Sequence, residues 1–178
     1  MEELEELTAD AGYGSEENYA ALEQNGTSAY VKYNYFHKEL REENRKNREY
    51  RLFENLYYDS QKDRYICPMG QKMEYIGDSK RKTSTGFEQT YRRYQAKNCS
   101  NCPLNGVCHK SKGNRIIEIN VNLNRLKDKA HLLLNSEQGI TQRKKRCYDV
   151  EPVFGNIKHN HNFKRFMLRG KKKVEIEW

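Results

Sequence analysis

Apolar residues are scarce in this sequence. They make up 35% of its 178 residues, against 33% charged, and the mean hydropathy is −1.14. That share excludes a large buried core and leaves a modest one, in one domain or one domain with an insert. No apolar run approaches the roughly 18–20 residues that cross a bilayer, and no secretory leader is present. A helical membrane protein is excluded, and no membrane partner is expected. There are only five cysteines and a single C-x2-C pair. A disulfide-stapled secreted scaffold is therefore not indicated, and a cytoplasmic, reducing setting favours metal or free thiols. No internal repeat occurs. Residues 1–31 lack Lys and Arg altogether, while carrying Glu2, Glu3, Glu5, Glu6, Asp10, Glu16, Glu17 and Glu23.

What is present is positive charge at the other end. The net charge is +8 and the pI about 9.2. Residues 139–178 hold eleven Lys or Arg against four acids. A polyanion is a natural partner for such a surface, by electrostatics that do not depend on sequence.

Along the chain, Leu7 to Ser15 reads as a strand end entering a tight turn. Ser15 is placed to cap a helix over Glu16 to Gln24, with Glu16 and Glu17 suiting the helix dipole and Asn25-Gly26 stopping it. Ser28 to Tyr33 alternates as a strand. The order β-α-β predicts parallel neighbours in an α/β sheet. Asp10 then sits at the carboxyl end of its strand, where open α/β sheets place ligands. The same aspartate also reads as a turn residue next to glycine. Phe36 to Phe53 is charged and helix-prone.

From Tyr57 to Lys112 the composition changes to Tyr, Lys, Arg, Gly and Cys. Short runs at Arg64 to Ile66, Lys72 to Ile76 and Phe87 to Tyr94 predict strands, separated by turn-rich pieces such as Gly77-Asp78-Ser79. This is the pattern of a small β-rich insert. It contains Cys67, then Cys99, Cys102 and Cys108, with His109 next. Four thiolates can close a tetrahedral zinc site, and a small polar segment gains folding energy from one. An iron–sulfur cluster and unligated thiols fit the same spacing. Cys147 is the odd cysteine, read as a buried or free thiol. Tyr91-Arg92-Arg93-Tyr94 interleaves rings with charges. It reads either as a base-stacking, phosphate-holding surface or as a strand with tyrosines inward and charges outward.

Ile116 to Ile119 is a short apolar strand. Leu123, Leu126, Ala130, Leu133 and Leu134 mark a helix ending near Asn135. The basic run Arg143 to Arg146 leads into Tyr148 to Asn160, a helical stretch with Glu151 and Lys158 seven residues apart. On an α-helix that is two turns and roughly 10 Å of rise. Val150, Phe154 and Ile157 give it a packing face. Pro152 suits a first turn capped by Asp149, or marks a kink in a longer helix. Glu151 reads as a metal-binding carboxylate with Lys158 as a phosphate contact, or as a solvated pair on an exposed face. Phe163 to Lys173 follows, with Phe163, Phe166 and Met167 able to pack one face while Lys and Arg point out.

Two stretches are recognisable together. Thr8 to Tyr19, carrying Asp10-Ala11-Gly12-Tyr13, and Val150 to Lys158, with Phe163 to Gly170 after it, resemble the DDE transposases of bacterial insertion sequences. The resemblance implies a ribonuclease-H-like α/β fold, here partial, with an inserted zinc-ribbon-like subdomain. The implied division is 1–53, first part of the catalytic domain; 54–113, cysteine-bearing insert; and 114–178, second part. It implies metal-dependent cleavage and transfer of double-stranded DNA at transposon ends, in a bacterial cytoplasm, with a homodimer possible for the full-length enzyme. Family members hold two Mg²⁺ (or Mn²⁺) ions on three acids. Asp10 matches the second acid, Glu151 the third, and Lys158 the lysine of the Tyr–Arg–Glu–Lys signature. Cys147 stands where the signature arginine belongs, with Arg146 one residue before it. Arg146, Arg165, Arg169, Lys171 and Lys172 join Lys158 as expected DNA contacts. The first acid of the family lies on an early strand well upstream of the second, and here only Glu2 to Glu6 stand ahead, with no strand to present them, so the chain is expected to be a C-terminal portion that does not cleave DNA alone. A non-catalytic DNA-binding module and a transposase remnant are the alternatives.

Overall fold

The computed structural model describes residues 4–37, 56–149 and 151–160, together with Met167, Lys172 and Glu175. Two compact units divide the chain, Met1–Leu132 and Leu133–Trp178.

The first unit opens with β1 (Glu6–Ala9), a 3-10 turn (Ala11–Tyr13), α1 (Glu16–Gln24) and β2 (Ser28–Val31). The strands pair in parallel, Glu6 opposite Ser28 and Ala9 opposite Val31. The local chemistry explains the connection. Ser15 accepts the Asn18 N–H at 3.2 Å, satisfying an amide that the first helical turn leaves open. Glu16 and Glu17 lie where the helix dipole is positive. Gly26 ends the helix at φ +69, which a side chain would resist.

The second part of this unit is a five-stranded antiparallel sheet in sequence order. Its strands are β3 (Tyr57–Asp59), β4 (Arg64–Ile66), β5 (Lys72–Lys82), β6 (Glu88–Ala96) and β7 (Ile116–Ile119). One expectation is corrected here. Gly77-Asp78-Ser79 is not a turn, because β5 runs on to Lys82. The register slips between Tyr75 and Gly77, and Gly77 takes φ +112. A bulge uses the glycine to bend the strand without ending it. The sheet packs around Met73, Tyr94 and Ala96, with Leu56, Tyr65, Ile117 and Ile119 against them.

α2 (Val121–Asn135) starts at Asn120, whose Oδ1 accepts the Leu123 N–H at 2.8 Å. Its apolar stripe at three- and four-residue spacing buries Leu126 and Ala130 against Tyr19 and Val31, with Leu7, Ala9 and Leu22 around them. The Tyr19 hydroxyl donates to the Val31 carbonyl at 2.8 Å, and burial pushes its pKa up to about 12. Among the described residues of this unit Glu16 is the buried charge, at 4% exposure. Side-chain amides of Gln89, Asn120 and Asn122 donate to its carboxylate, so β6, the α2 cap and α2 all converge on the start of α1.

The second unit holds α3 (Glu137–Asp149), α4 (Glu151–Gly155) and a π-helical turn (Asn156–Asn160). Ser136 caps α3 by accepting the Gly139 N–H at 3.0 Å. Gly139 is required there, since a Cβ would stand 2.0 Å from the Leu133 carbonyl oxygen. Pro152 is the second residue of α4, where its missing N–H costs no helical bond. The helix-prone stretch after Phe36 lies beyond the described residues from position 38 onward. Met167, expected on a packing face, is 71% exposed. Phe163 and Phe166, its expected partners, lie outside the described residues.

Candidate functional site

Asp10 follows the last residue of β1 and begins the 3-10 turn with extended backbone, φ −77 and ψ 168. The Lys32 N–H donates to the Ala9 carbonyl at 3.2 Å, which carries the parallel register one step past both strands. Asp10 and Lys32 therefore leave the carboxyl end of the pair side by side. Lys32 Nζ stands 3.9 Å from Asp10 Oδ1, with the lysine side chain 13% exposed and the aspartate 51%. At that distance and exposure an ion pair is worth about 1 kcal/mol at most. The side chain of Asp10 does not cap the turn that follows it. A half-exposed carboxylate is a suitable oxygen ligand for a hard divalent cation.

The turn is held down from below. A Cβ at Gly14 would lie 2.5 Å from the Lys32 carbonyl oxygen and 3.0 Å from the Tyr33 Cα. Only glycine lets the Asp10 loop lie this close on the chain leaving β2. Asn18 Nδ2 ties the same loop by donating to the Tyr13 carbonyl at 2.9 Å.

Beyond Lys32 the chain turns at Tyr33 to Phe36, and between this turn and α2 lies a cleft of about 530 Å³. Tyr35 sits at φ +74 with its side chain 63% exposed. For a bulky residue that conformation costs about 1–3 kcal/mol. Across the cleft the Tyr33 hydroxyl meets His131 Nδ1 at 2.9 Å. Sequence reading missed this feature. Its two sides are almost a hundred residues apart, and the one local signal was the run of aromatics at Tyr33, Tyr35 and Phe36.

Glu151 is the first residue of α4 and Lys158 lies in the π-helical turn. Their side chains lie outside the described residues. The π pitch departs from the α pitch on which the two-turn spacing rests. Arg146 is half-buried in the last turn of α3, and Lys172 is exposed. Arg165, Arg169 and Lys171 lie outside the described residues, as does the Cys147 side chain.

Cys67, Cys99, Cys102 and Cys108 are free, half-buried thiols that line one small cavity of about 20 Å³, the size of a single ion or water. Three of the sulfurs accept hydrogen bonds. The Gln71 N–H reaches Cys67 at 3.3 Å and the Arg115 N–H reaches Cys99 at 3.4 Å, while the Arg115 guanidinium lies 2.9 Å from Cys108. His109 also lines the cavity. Its Nε2 is buried without a hydrogen-bond partner, while Nδ1 meets Ser111 Oγ at 2.7 Å. The donor set suits zinc in kind. In arrangement, no group of three or more His, Cys, Asp or Glu among the described residues is poised to hold a metal ion.

The ring-and-charge run on β6 divides differently from the expected tyrosines inward and charges outward: Tyr94 turns inward, and Arg92 shares its side of the strand. Tyr94 is buried and its hydroxyl donates to Asp63 at 2.8 Å. Arg92 also donates to Asp63, with its guanidinium 4.8 Å from the Tyr75 ring centre. Hydroxyl donors from Tyr58 and Tyr94, then Arg92, hold the Asp63 carboxyl below its usual range. Arg93 lies near Glu118 and Tyr91 donates to Gln89, so this network uses its own groups.

A family model described as a transposase DDE domain matches residues 66–178. The chain belongs to this transposase family. The matched span includes the four cavity cysteines, Glu151 and Lys158, and begins after Asp10. Its function is therefore of the transposase kind, with DNA as partner and divalent metal as the general cofactor of the domain. No curated protein and no solved structure matches the chain. Among the described residues no helix is long and apolar enough to cross a membrane.

Proposed function

We propose that this transposase chain contributes Asp10 and Glu151 to the cleavage and transfer of double-stranded DNA at transposon ends, in a bacterial cytoplasm. The observation that supports it most is the position of Asp10. A half-exposed carboxylate stands at the carboxyl end of a parallel strand pair, on a turn pinned by Gly14. On this reading β1, α1 and β2 belong to a ribonuclease-H-like domain divided as 1–53 and 114–178, with 54–113 as the insert.

Asp10 and Glu151 would hold Mg²⁺ or Mn²⁺. Bound divalent ions activate a water or 3′-hydroxyl nucleophile and stabilise the leaving oxygen. The remaining work belongs to the chain itself. Lys32 fixes the Asp10 loop and balances its charge. Lys158, Arg146, Arg165, Arg169, Lys171 and Lys172 contact phosphates and set the register of the duplex. Cys67, Cys99, Cys102 and Cys108 close around zinc and stiffen the insert. The enzyme acts as a homodimer.

The test is a titration of Mn²⁺ into the purified chain, followed by the loss of the free-ion paramagnetic resonance signal. Binding that disappears in both Asp10→Asn and Glu151→Gln supports a shared site. Binding unaffected by either substitution removes the catalytic reading and leaves a DNA-binding module. Metal-dependent DNA cleavage that is lost in Glu151→Gln would support a catalytic role for that carboxylate.

A further inference from the structure

The cysteine cavity has a further donor that the four-thiol reading leaves unused. His109 lines it beside Cys67, Cys99, Cys102 and Cys108. The state of its ring follows from a neighbour. Ser111 Oγ donates its proton to the Gly113 carbonyl at 3.3 Å. It therefore meets His109 Nδ1, 2.7 Å away, as an acceptor. A neutral imidazole has one N–H and one bare lone pair, so Nδ1 carries the hydrogen and Nε2 the lone pair. That Nε2 is buried and has no hydrogen-bond partner. A buried acceptor without a donor is costly, and a missing ion is one of the few things that explains it. A ring with one nitrogen donating to a fixed oxygen and the other left bare is the form in which histidine binds metal.

Structural zinc takes four ligands, and here four thiols and a ring offer themselves. Cys108 is the thiol with an alternative. It precedes His109 directly, and the Arg115 guanidinium stands 2.9 Å from its sulfur as a partner off the ion. Cys67 and Cys99 instead accept backbone amides, from Gln71 at 3.3 Å and Arg115 at 3.4 Å. We infer that Cys108 and His109 are alternative fourth ligands of the zinc site: when the Cys108 thiol leaves the ion, His109 Nε2 takes its place beside Cys67, Cys99 and Cys102. The inference rests on the zinc reading above and adds a ligand to it. The exchange is local. Residues 97–113 run from β6 toward β7 in turns and bends, so no strand pairing is broken. The Cys108 N–H donates to the Leu104 carbonyl at 2.8 Å, and Gly106 at φ +86 shapes that turn. Among the described residues these donors are not gathered into a metal-holding group, so the ion must draw either side chain in from this loop. With His109 in reserve, blocking the Cys108 thiol does not release the metal.

The experiment uses the whole chain, loaded with Zn²⁺ for metal counting and with Co²⁺ for absorption. The parent is compared with Cys108→Ala, Cys108→Ser, His109→Gln, the double variant Cys108→Ala/His109→Gln, and Cys102→Ser. The parent and the single variants at Cys108 and His109 should each hold one metal ion, with the ligand-field bands of tetrahedral Co²⁺. In both Cys108 variants the thiolate charge-transfer band should weaken, and the nitrogen resonance of His109 Nε2 should move when Zn²⁺ is added. The double variant should lose the metal. So should Cys102→Ser, which keeps His109 but has only Asn101 and Pro103 beside the lost thiol. A parent that holds metal while both Cys108 variants lose it overturns the exchange and leaves the four-thiolate site intact. Metal retained by the double variant also overturns the exchange, because three thiolates then suffice. A parent chain that takes up neither ion overturns the exchange and the zinc reading together.

Discussion

Lys32 Nζ and Asp10 Oδ1 stand 3.9 Å apart at the carboxyl end of the parallel strand pair, and the lysine is far less exposed than the aspartate. The pair is loose enough for a cation to compete with the lysine. Two unit charges at this separation interact by about 1 kcal/mol in water and more beside a protein surface. Lys32→Met is therefore expected to strengthen Mn²⁺ binding at Asp10 by about 5-fold or more, since about 1.4 kcal/mol is tenfold. A resonance titration of parent and variant checks it. Unchanged or weaker binding would mean that Lys32 does not compete for the carboxylate.

Two glycines four residues or fewer from Asp10 should behave in opposite ways. Gly14→Ala puts a Cβ 2.5 Å from the Lys32 carbonyl oxygen, backbone that cannot yield cheaply, whereas a Cβ at Gly12 meets nothing within 4 Å. Gly14→Ala is expected to destabilise the chain by about 1–3 kcal/mol, as overpacking does. Gly12→Ala should stay within about 0.5 kcal/mol. Urea unfolding of the two variants measures the contrast. Equal midpoints would show that the loop does not rest on β2.

Much of this region was legible beforehand, for local reasons. Ser15, the paired glutamates and Asn25-Gly26 are neighbours in sequence and state where α1 begins and ends. Leu123, Leu126 and Ala130 announce α2 by spacing alone. Asp10 was legible as an acid at a strand end because the β-α-β order fixes which end ligands face. Long-range features were not. Gly77-Asp78-Ser79 looks like a turn until β6 is there to pair across the bulge. Tyr94 looks like a stacking platform until Asp63, thirty-one residues earlier, is seen to hold its hydroxyl and Arg92 together. The Tyr35 cleft needs α2 as its far wall. Glu16 reads as a helix-dipole residue, yet its carboxylate is the buried meeting point of Gln89, Asn120 and Asn122.

The clamp between α1 and α2 should make stability depend on acid. Arg125 donates to both oxygens of Glu23, and Lys129 to one, at 2.7–3.0 Å. Hydrogen bonds from Arg125 and then Lys129 lower the Glu23 pKa from 4.5 to about 2. The native state therefore binds this proton more weakly than the unfolded chain does. The contribution is complete above about pH 4.5 and is lost as pH falls toward 2. Glu23→Gln should flatten that part of the stability–pH curve and leave the curve near neutrality parallel to the parent's. High salt should reduce the effect, because the pair is at the surface. Denaturant midpoints between pH 2 and 7 decide it. An identical acid slope in the variant would assign the effect elsewhere.

The cysteine cavity makes the sharpest chemical prediction. Four thiols, three of them already accepting hydrogen bonds, line one small cavity without being gathered into a metal-holding group, so a bound ion would have to draw them together, and Arg115 supports two of the sulfurs. Without a metal, these groups bury polarity that the small apolar set around Met73 and Tyr94 must offset. Purified chain should carry one zinc, released by a thiol-blocking reagent and absent from Cys99→Ser and Cys102→Ser. Chelation should lower thermal stability and loosen β4 to β6, read as faster amide exchange there, while α1 and β2 stay protected. Arg115→Ala keeps all four thiols, so it should retain zinc but bind it about 10- to 100-fold more weakly, as losses outside the ligand set commonly do. Visible charge-transfer absorption with iron would replace zinc by a cluster. A metal-free chain with four freely reactive thiols would leave the insert held by its sheet and the Asp63 network alone.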